Sequence, residues 1–359
     1  MGARVMVMAG GTGGHVFPAL AVADRLRTLG AEVFWLGTRH GLEARVVPGA
    51  GYEIEWIEIR GLRGKGPTGW LLAPFRLARS MLKAAAVVRR RRPQVVLGVG
   101  GFVAGPGGVV SRLMGLPLVI HEQNTVPGMT NRWLSRIATR VLEAFPGTFP
   151  AGRGALETGN PVRADIAAMP PPAERFRDRA AGPRHLLVLG GSQGARALNE
   201  AVPHALARLP AARRPLVRHQ AGRDKAEATA AIYLEAGVEA QVSAFEEDMA
   251  GAYAWADLVI CRAGALTIAE LAAAGLGAVL VPFPHAVDDH QTRNGRFLTE
   301  AGAAELLPED RLDSAALAER VGALLGAPER LLEMAEAARR LARPAAADAV
   351  ARTCLEVAR

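Results

Sequence analysis

The chain has 359 residues, half of them apolar and 22% charged, which excludes a disordered protein and allows a core needing neither disulfides nor a structural metal. A net charge of +8 points to an anionic partner, and two lone cysteines, Cys261 and Cys354, suit a reducing compartment. Residues 93–111 and 271–287 are uncharged, but their glycines and prolines exclude a continuous spanning helix.

The apolar run at residues 5–9 is too short for a signal peptide and reads as the first strand. Strands are expected over 4–9, 32–37, 52–59, 94–99, 117–121 and 140–145, with helices over 18–29, 74–92 and 129–137 between them. A proline-rich stretch, 159–172, reads as a linker. The pattern then restarts, with strands over 185–191, 216–220, 241–245, 258–261 and 278–282 and helices over 195–209, 266–274 and 291–301. Residues 314–359 read as a strandless helical tail.

Alternating strands and helices predict an α/β fold with parallel sheets. Each half opens on a strand, a Gly-rich turn and a helix: Gly10-Gly-Thr-Gly-Gly-His15, then Gly190-Gly-Ser-Gln-Gly-Ala195. Two Rossmann-like domains facing across a cleft are expected, residues 1–163 and 164–341, with a closing helix at about 342–359 packing back on the first. Charge separates the halves as well. Through Arg163 there are 21 Lys/Arg against 9 Asp/Glu; beyond it, 22 against 26. No acid lies between Glu58 and Glu122, while 11 basic residues do.

A basic half faces a polyanion. In residues 70–83, Arg76, Arg79 and Lys83 fall in one helical sector and Leu71, Phe75 and Leu82 in the next, with Trp70 widening the apolar side. That pattern suits a membrane surface; the alternative is a crossover helix packed on a sheet with a solvated basic edge. The basic half lacks interleaved aromatics and any nucleic-acid motif, so nucleic acid is not expected as a partner.

The Gly10 turn allows close approach of a diphosphate to backbone N–H groups and a helix N-terminus. It is not a Walker A loop, and strand two ends Trp35-Leu-Gly-Thr38 without the acid of a dinucleotide site, which counts against a nicotinamide-dependent oxidoreductase. His15 and Glu122 are candidate general bases, Glu122 with the alternative role of a capping carboxylate. Ser192 is placed to donate to a phosphate, and Glu270, one turn into the 266–274 helix, to accept paired sugar hydroxyls. His285, Asp288, Asp289, His290 and Gln291 cluster in sequence but lack clear metal-ligand spacing, so sugar readout is preferred to metal binding.

GGTGGHVFPALAVA (residues 10–23), GGFVAGP (100–106), HEQN (121–124), GNPVR (159–163), GGSQGA, CRAGALTIAE and DDHQTRN together resemble, in order and over essentially the whole chain, the MurG-type peptidoglycan glycosyltransferases. The resemblance implies a GT-B architecture and an inverting hexosyltransferase. It would move N-acetylglucosamine from UDP-N-acetylglucosamine to the 4-hydroxyl of the muramoyl sugar of lipid I, giving lipid II for cell-wall synthesis. It implies that the first domain binds the acceptor and the second the nucleotide sugar. Ser192 would hold the UDP phosphates, backbone near Glu246 would read uracil, and Glu270 would bind the ribose. Ala265, Leu266 and Thr267 would line the diphosphate. Gln291, Asn124 and Arg163, with Thr12, Gly13 and Gly14, would contact the donor sugar or its surroundings, and His15, or else Glu122, would be the base. No cofactor is required, although a divalent cation is compatible. The expected location is peripheral, on the cytoplasmic face of the plasma membrane beside other cell-wall synthesis proteins. A same-fold glycosyltransferase acting on another membrane lipid is the alternative. Phe102 and Ala104 stand where many members have Tyr and Ser, so neither hydroxyl takes part here; His290 replaces the first amide of a Gln-Gln pair.

Overall fold

The computed structural model describes residues 2–59, 73–177, 182–191 and 193–358. Two compact units result: Met1–Arg163 with Arg343–Arg359, and Ala164–Ala342.

The first unit is built on seven strands: β1 (Arg4–Ala9), β2 (Glu32–Gly37), β3 (Glu53–Trp56), β4 (Val95–Gly100), β5 (Leu118–Glu122), β6 (Arg140–Glu143) and β7 (Leu156–Glu157). They lie in the order β3-β2-β1-β4-β5-β6-β7, all parallel. The reversal of winding between β1 and β4 opens a crevice beyond their carboxyl ends. Strand β1 is buried on both faces, hence its unbroken apolar run. Val5, Val7 and Ala9 share one core with helix α1 (Gly13–Thr28) and the closing helix, Ala346–Val357. Met6 and Met8 share the other core with α3 (Ala73–Arg91) and α4 (Ala104–Leu113), after the short α2 (Glu43–Gly49). The closing helix buries Val350, Ala351 and Cys354, and its Asp348 pairs with Arg25 of α1 at 2.6 Å.

In the second unit β8 (His185–Leu189), β9 (Leu216–Gln220), β10 (Gln241–Ser243), β11 (Leu258–Cys261), β12 (Gly277–Leu280) and β13 (Ala304–Leu306) form a parallel sheet. Its order is β10-β9-β8-β11-β12-β13, with the same kind of reversal between β8 and β11. The winding is thus repeated about a second Gly-rich turn.

Several elements depart from the sequence expectation. Helix α1 starts at Gly13, not 18, and runs through Pro18 at the loss of one backbone bond, so the Gly-rich turn flows directly into it. The strand expected over 52–59 shortens to Glu53–Trp56. Strands β7 and β13, two and three residues long, are too short to carry an alternating pattern.

Candidate active site

In the first unit, Thr12 adopts an extended conformation (φ −105°, ψ 163°) as the last residue before α1, placing Gly13, Gly14 and His15 in its first turn. The His15 N–H donates to the Thr12 carbonyl at 3.2 Å, closing that turn. Thr12 Oγ1 lies 3.3 Å from His15 Nδ1. The end of β4 closes against the same side chain. Gly100 has φ +115°, and a Cβ there would stand 2.5 Å from His15 Cδ2, so only glycine fits. This explains part of the glycine content of the 98–108 segment: bare backbone packs against the histidine.

The turn is fastened from beneath by Glu43, a residue that sequence reasoning did not single out. Its fully buried carboxylate accepts from Gly11 N–H (2.9 Å) through Oε2, and from Thr38 N–H (3.0 Å) and Thr38 Oγ1 (2.7 Å) through Oε1. The available signal was its place, just past the carboxyl end of β2.

Glu122, the second candidate base, is engaged as a loop-capping carboxylate, the role that was its alternative. It is buried at the end of β5, with Oε1 accepting from Asn124 N–H (3.0 Å) and Nδ2 (3.1 Å) and Oε2 from Gly128 N–H (3.0 Å) and Asn131 Nδ2 (3.0 Å). A carboxylate so engaged is poorly placed to take a proton from substrate. It instead fixes Asn124, whose carbonyl accepts from Thr148 Oγ1. The neighbouring His121 is buried with Nε2 3.0 Å from the Gly159 carbonyl, which can only accept, and Nδ1 2.9 Å from Gln123 Nε2. Burial holds its pKa down at about 4, so it is a neutral tether for the 159–163 segment. That segment brings the Arg163 guanidinium over the ring of Phe17, 5.5 Å from its centroid, on α1.

Helix α3 splits along its length. Ala84, Val87 and Val88 pack in the core, whereas Phe75 and Leu82 are 74% and 73% exposed. Its basic side chains are less free than the acid-free stretch suggested. Lys83 reaches Glu58 at 2.7 Å, with Arg79 at 3.5 Å, and Arg90 reaches Glu55 at 2.6 Å. Arg76 is exposed beside Phe75. Arg76, Arg79 and Lys83 help to line a cavity of about 1060 Å³, together with Arg39, Trp56 and Leu77. Trp70 and Leu71 lie outside the described residues.

In the second unit the Gly190-Gly191 turn is again fastened from beneath, here by Gln220 at the end of β9, also missed in the sequence. Its Oε1 accepts from Gly191 N–H (2.9 Å), and its Nε2 donates to the carbonyls of Gly191 and Ala244 (3.0 Å each). Ser192 lies outside the described residues. Ala265, Leu266 and Thr267 form the first turn of a second site helix, Ala265–Ala274, and Glu270 one turn on is buried, its Oε2 accepting from Tyr253 OH at 3.0 Å. Burial and the Glu270 charge push the Cys261 thiol up to about 12, leaving it an inert apolar group. Glu246 accepts from Asp248 N–H at 3.0 Å beside the exposed Phe245. Gln291 accepts from Phe283 N–H (2.9 Å). Arg262 holds the start of the same loop, donating to the Val281 and Pro282 carbonyls and pairing with Glu309 at 2.5 Å. No three His, Cys, Asp or Glu side chains converge as metal ligands among the described residues.

Residues 5–143 match the Glycosyltransferase family 28 N-terminal domain and residues 185–352 its C-terminal domain. Relatives named UDP-N-acetylglucosamine--N-acetylmuramyl-(pentapeptide) pyrophosphoryl-undecaprenol N-acetylglucosamine transferase are 59% identical in Nitrosococcus oceani and 57% identical in Methylococcus capsulatus, each alignment covering 100% of this chain and 99% of the relative. The crystal structure of Acinetobacter baumannii MurG is 42% identical over 99% of both chains, with a TM-score of 0.82. The fold is therefore GT-B, and the chain belongs to glycosyltransferase family 28, among the MurG-type enzymes its motifs resemble.

Proposed function

We propose that the protein transfers N-acetylglucosamine from UDP-N-acetylglucosamine to the muramoyl 4-hydroxyl of lipid I, with inversion, forming lipid II. The observation that carries this reading is relatedness at 57–59% identity over the full chain to transferases named for that reaction.

In the tautomer where His15 Nδ1–H donates to Thr12 Oγ1, the lone pair lies on Nε2, the nitrogen that takes the 4-hydroxyl proton. The hydroxyl oxygen attacks the anomeric carbon from the face opposite UDP. The glycosidic C–O bond breaks, and its electron pair leaves on the diphosphate. The first-turn N–H groups at Ala265, Leu266 and Thr267, with the Gly190–Gly194 turn and Ser192, stabilise that charge. In the second unit Glu270 takes the ribose hydroxyls, backbone near Glu246 the uracil, and Gln291 the donor sugar; in the first unit Asn124, Arg163, Gly13 and Gly14 surround the base. This scheme uses no metal.

The acceptor is lipid-linked, so the enzyme works at the cytoplasmic face of the plasma membrane. Phe75 and Leu82, flanked by Arg76, Arg79 and Lys83, supply an apolar contact with a basic rim for anionic lipid. No helix among the described residues is long and apolar enough to cross a membrane. The test is UDP release. It should require UDP-N-acetylglucosamine and a lipid I analogue together, persist with a chelator present, and fail with a diacylglycerol acceptor. Turnover on diacylglycerol but not on lipid I would replace this acceptor with another membrane lipid.

A further inference from the structure

We infer that Glu43 is a positioning residue for the transfer: its buried carboxylate clamps the Gly10–Gly11 turn so that Thr12 and His15 are held ready for the acceptor hydroxyl. The inference rests on the proposed role of His15.

The geometry leaves the carboxylate little other purpose. Glu43 is fully buried at the start of α2, 32 residues from the turn it holds. A buried carboxylate costs several kcal/mol unless hydrogen-bonded, and here three bonds meet it, two from Thr38 and one from Gly11 N–H. The surroundings are pared down to fit. A Cβ on Gly41 would stand 1.9 Å from Glu43 Oε2, and one on Gly10 would stand 2.7 Å from Oε1. Three further contacts converge on the same short backbone. Leu42 N–H donates to Gly11 O (3.3 Å), Trp35 Nε1–H to Ala9 O (2.8 Å), and Gly101 packs so tightly that a Cβ there would lie 2.3 Å from Gly10 O.

The consequence runs forward along the chain. Gly11 (φ +96°) precedes Thr12, whose carbonyl accepts from His15 and Val16 N–H (3.2 Å each) to start α1, and whose hydroxyl meets His15 Nδ1. Rotation of the turn therefore moves the imidazole as well as the hydroxyl that orients it. A displacement of about 1 Å in a reacting group can cost on the order of a hundredfold in rate. In the second unit the matching glycine, Gly191, is held by the amide of Gln220, so clamping the second glycine of the turn is common to both units while the clamp's charge is not.

The test is steady-state kinetics on the full chain with a soluble lipid I analogue. Glu43→Gln keeps the shape but turns an amide N–H₂ toward donors at Gly11 or Thr38. It should lower kcat at least tenfold while the KM for UDP-N-acetylglucosamine and the Kd for UDP stay within twofold. Thr38→Val removes only the hydroxyl donor and should lower kcat two- to fivefold in the same pattern, which carries the test if Glu43→Gln does not fold. A residue needed for folding alone would lower Tm and leave kcat per folded molecule unchanged; that result, or equal loss in both substrates' constants, overturns the clamp. His15→Ala separates the two ideas. An inactive His15→Ala beside a fully active Glu43→Gln sinks the clamp alone, whereas an active His15→Ala sinks the assignment of the base.

Discussion

The two units solve one structural problem with opposite electrostatics. Each has a parallel sheet that reverses its winding beside the first strand, a Gly-rich turn at the end of that strand, and a buried side chain fastening the second glycine's N–H. In the first unit the fastener is the carboxylate of Glu43; in the second it is the neutral amide of Gln220. A carboxylate beneath a turn opposes an anion above it, and an amide does not. The difference matches the two proposed ligands. The first turn presents a proton acceptor to a neutral sugar hydroxyl, and the second cradles a diphosphate. The same Gly-rich pattern therefore carries two chemistries, told apart by a residue about 30 positions away.

If membrane contact belongs to the first unit alone, it can be removed without touching the second. Replacing both Phe75 and Leu82 with Glu should weaken binding to vesicles of anionic phospholipid by more than about a hundredfold, since moving each large apolar side chain out of water contributes about 1.5–3 kcal/mol. Turnover on a soluble acceptor and the Kd for UDP should not change. Because both side chains face solvent in the structure, Tm should hold as well. Co-sedimentation with vesicles checks the first point and calorimetric titration the second. A fall in Tm of several degrees would instead mark these residues as part of a packed interior.

The sequence made the repeated strand, turn and helix units legible because that pattern is local: an apolar run, glycines and a helical face lie within about 20 residues of one another. It also placed Thr12, His15 and Gln291 at element ends, where site residues gather, and Glu270 one turn into a helix that follows a Gly-containing turn. What it could not convey was partnership across distance. Glu43 lies between two expected strands in a stretch to which the sequence assigned no element, and only the fold brings it to Gly11. Glu122 stood on the right strand end, but four donors from residues 124, 128 and 131 decide its role, and donors cannot be counted before the loop closes. The exposed face of α3 was visible in its periodicity. The carboxylates of Glu55 and Glu58 that neutralise part of its basic edge precede the acid-free stretch and become neighbours only through β3 and its exit.

Acid should reveal a feature the units share. Each buries a neutral histidine on a strand next to its central strands: His121 in β5, and His219 in β9 between Tyr233 OH (3.0 Å) and Asn199 Oδ1 (3.1 Å). Burial lowers their pKa values to about 4 and about 3, below the 6.5 of an exposed histidine. The unfolded chain then binds protons that the folded chain does not, so stability is complete above pH 6.5 and declines as pH falls toward 4. At pH 5 the loss is about 2 kcal/mol per histidine, from roughly 1.5 pH units below the unfolded pKa. Urea midpoints measured from pH 7 to 5 should fall for both units, and His219→Gln should flatten the trend for the second unit only. A pH-independent midpoint in both would mean that these imidazoles do not stay neutral.

The mildest expected effect tests the contrast between Glu43 and Gln220 most directly. Gln220→Glu puts a carboxylate under the proposed diphosphate turn and, when ionised, removes the donor that Nε2 supplied to Gly191 O and Ala244 O. One added like charge within several ångströms of a partly solvated diphosphate costs on the order of 1–2 kcal/mol, so the UDP Kd should rise about tenfold. Gln220→Met loses the hydrogen bonds without adding charge. If charge is what distinguishes the clamps, the Met variant should bind UDP several-fold better than the Glu variant at pH 8. The gap should narrow at pH 6, where a carboxyl facing two carbonyls is held more often in its protonated form and can donate to one of them. Equal UDP affinity in the two variants at both pH values would reduce the contrast between Glu43 and Gln220 to two ways of holding a glycine, with no bearing on which ligand each turn receives.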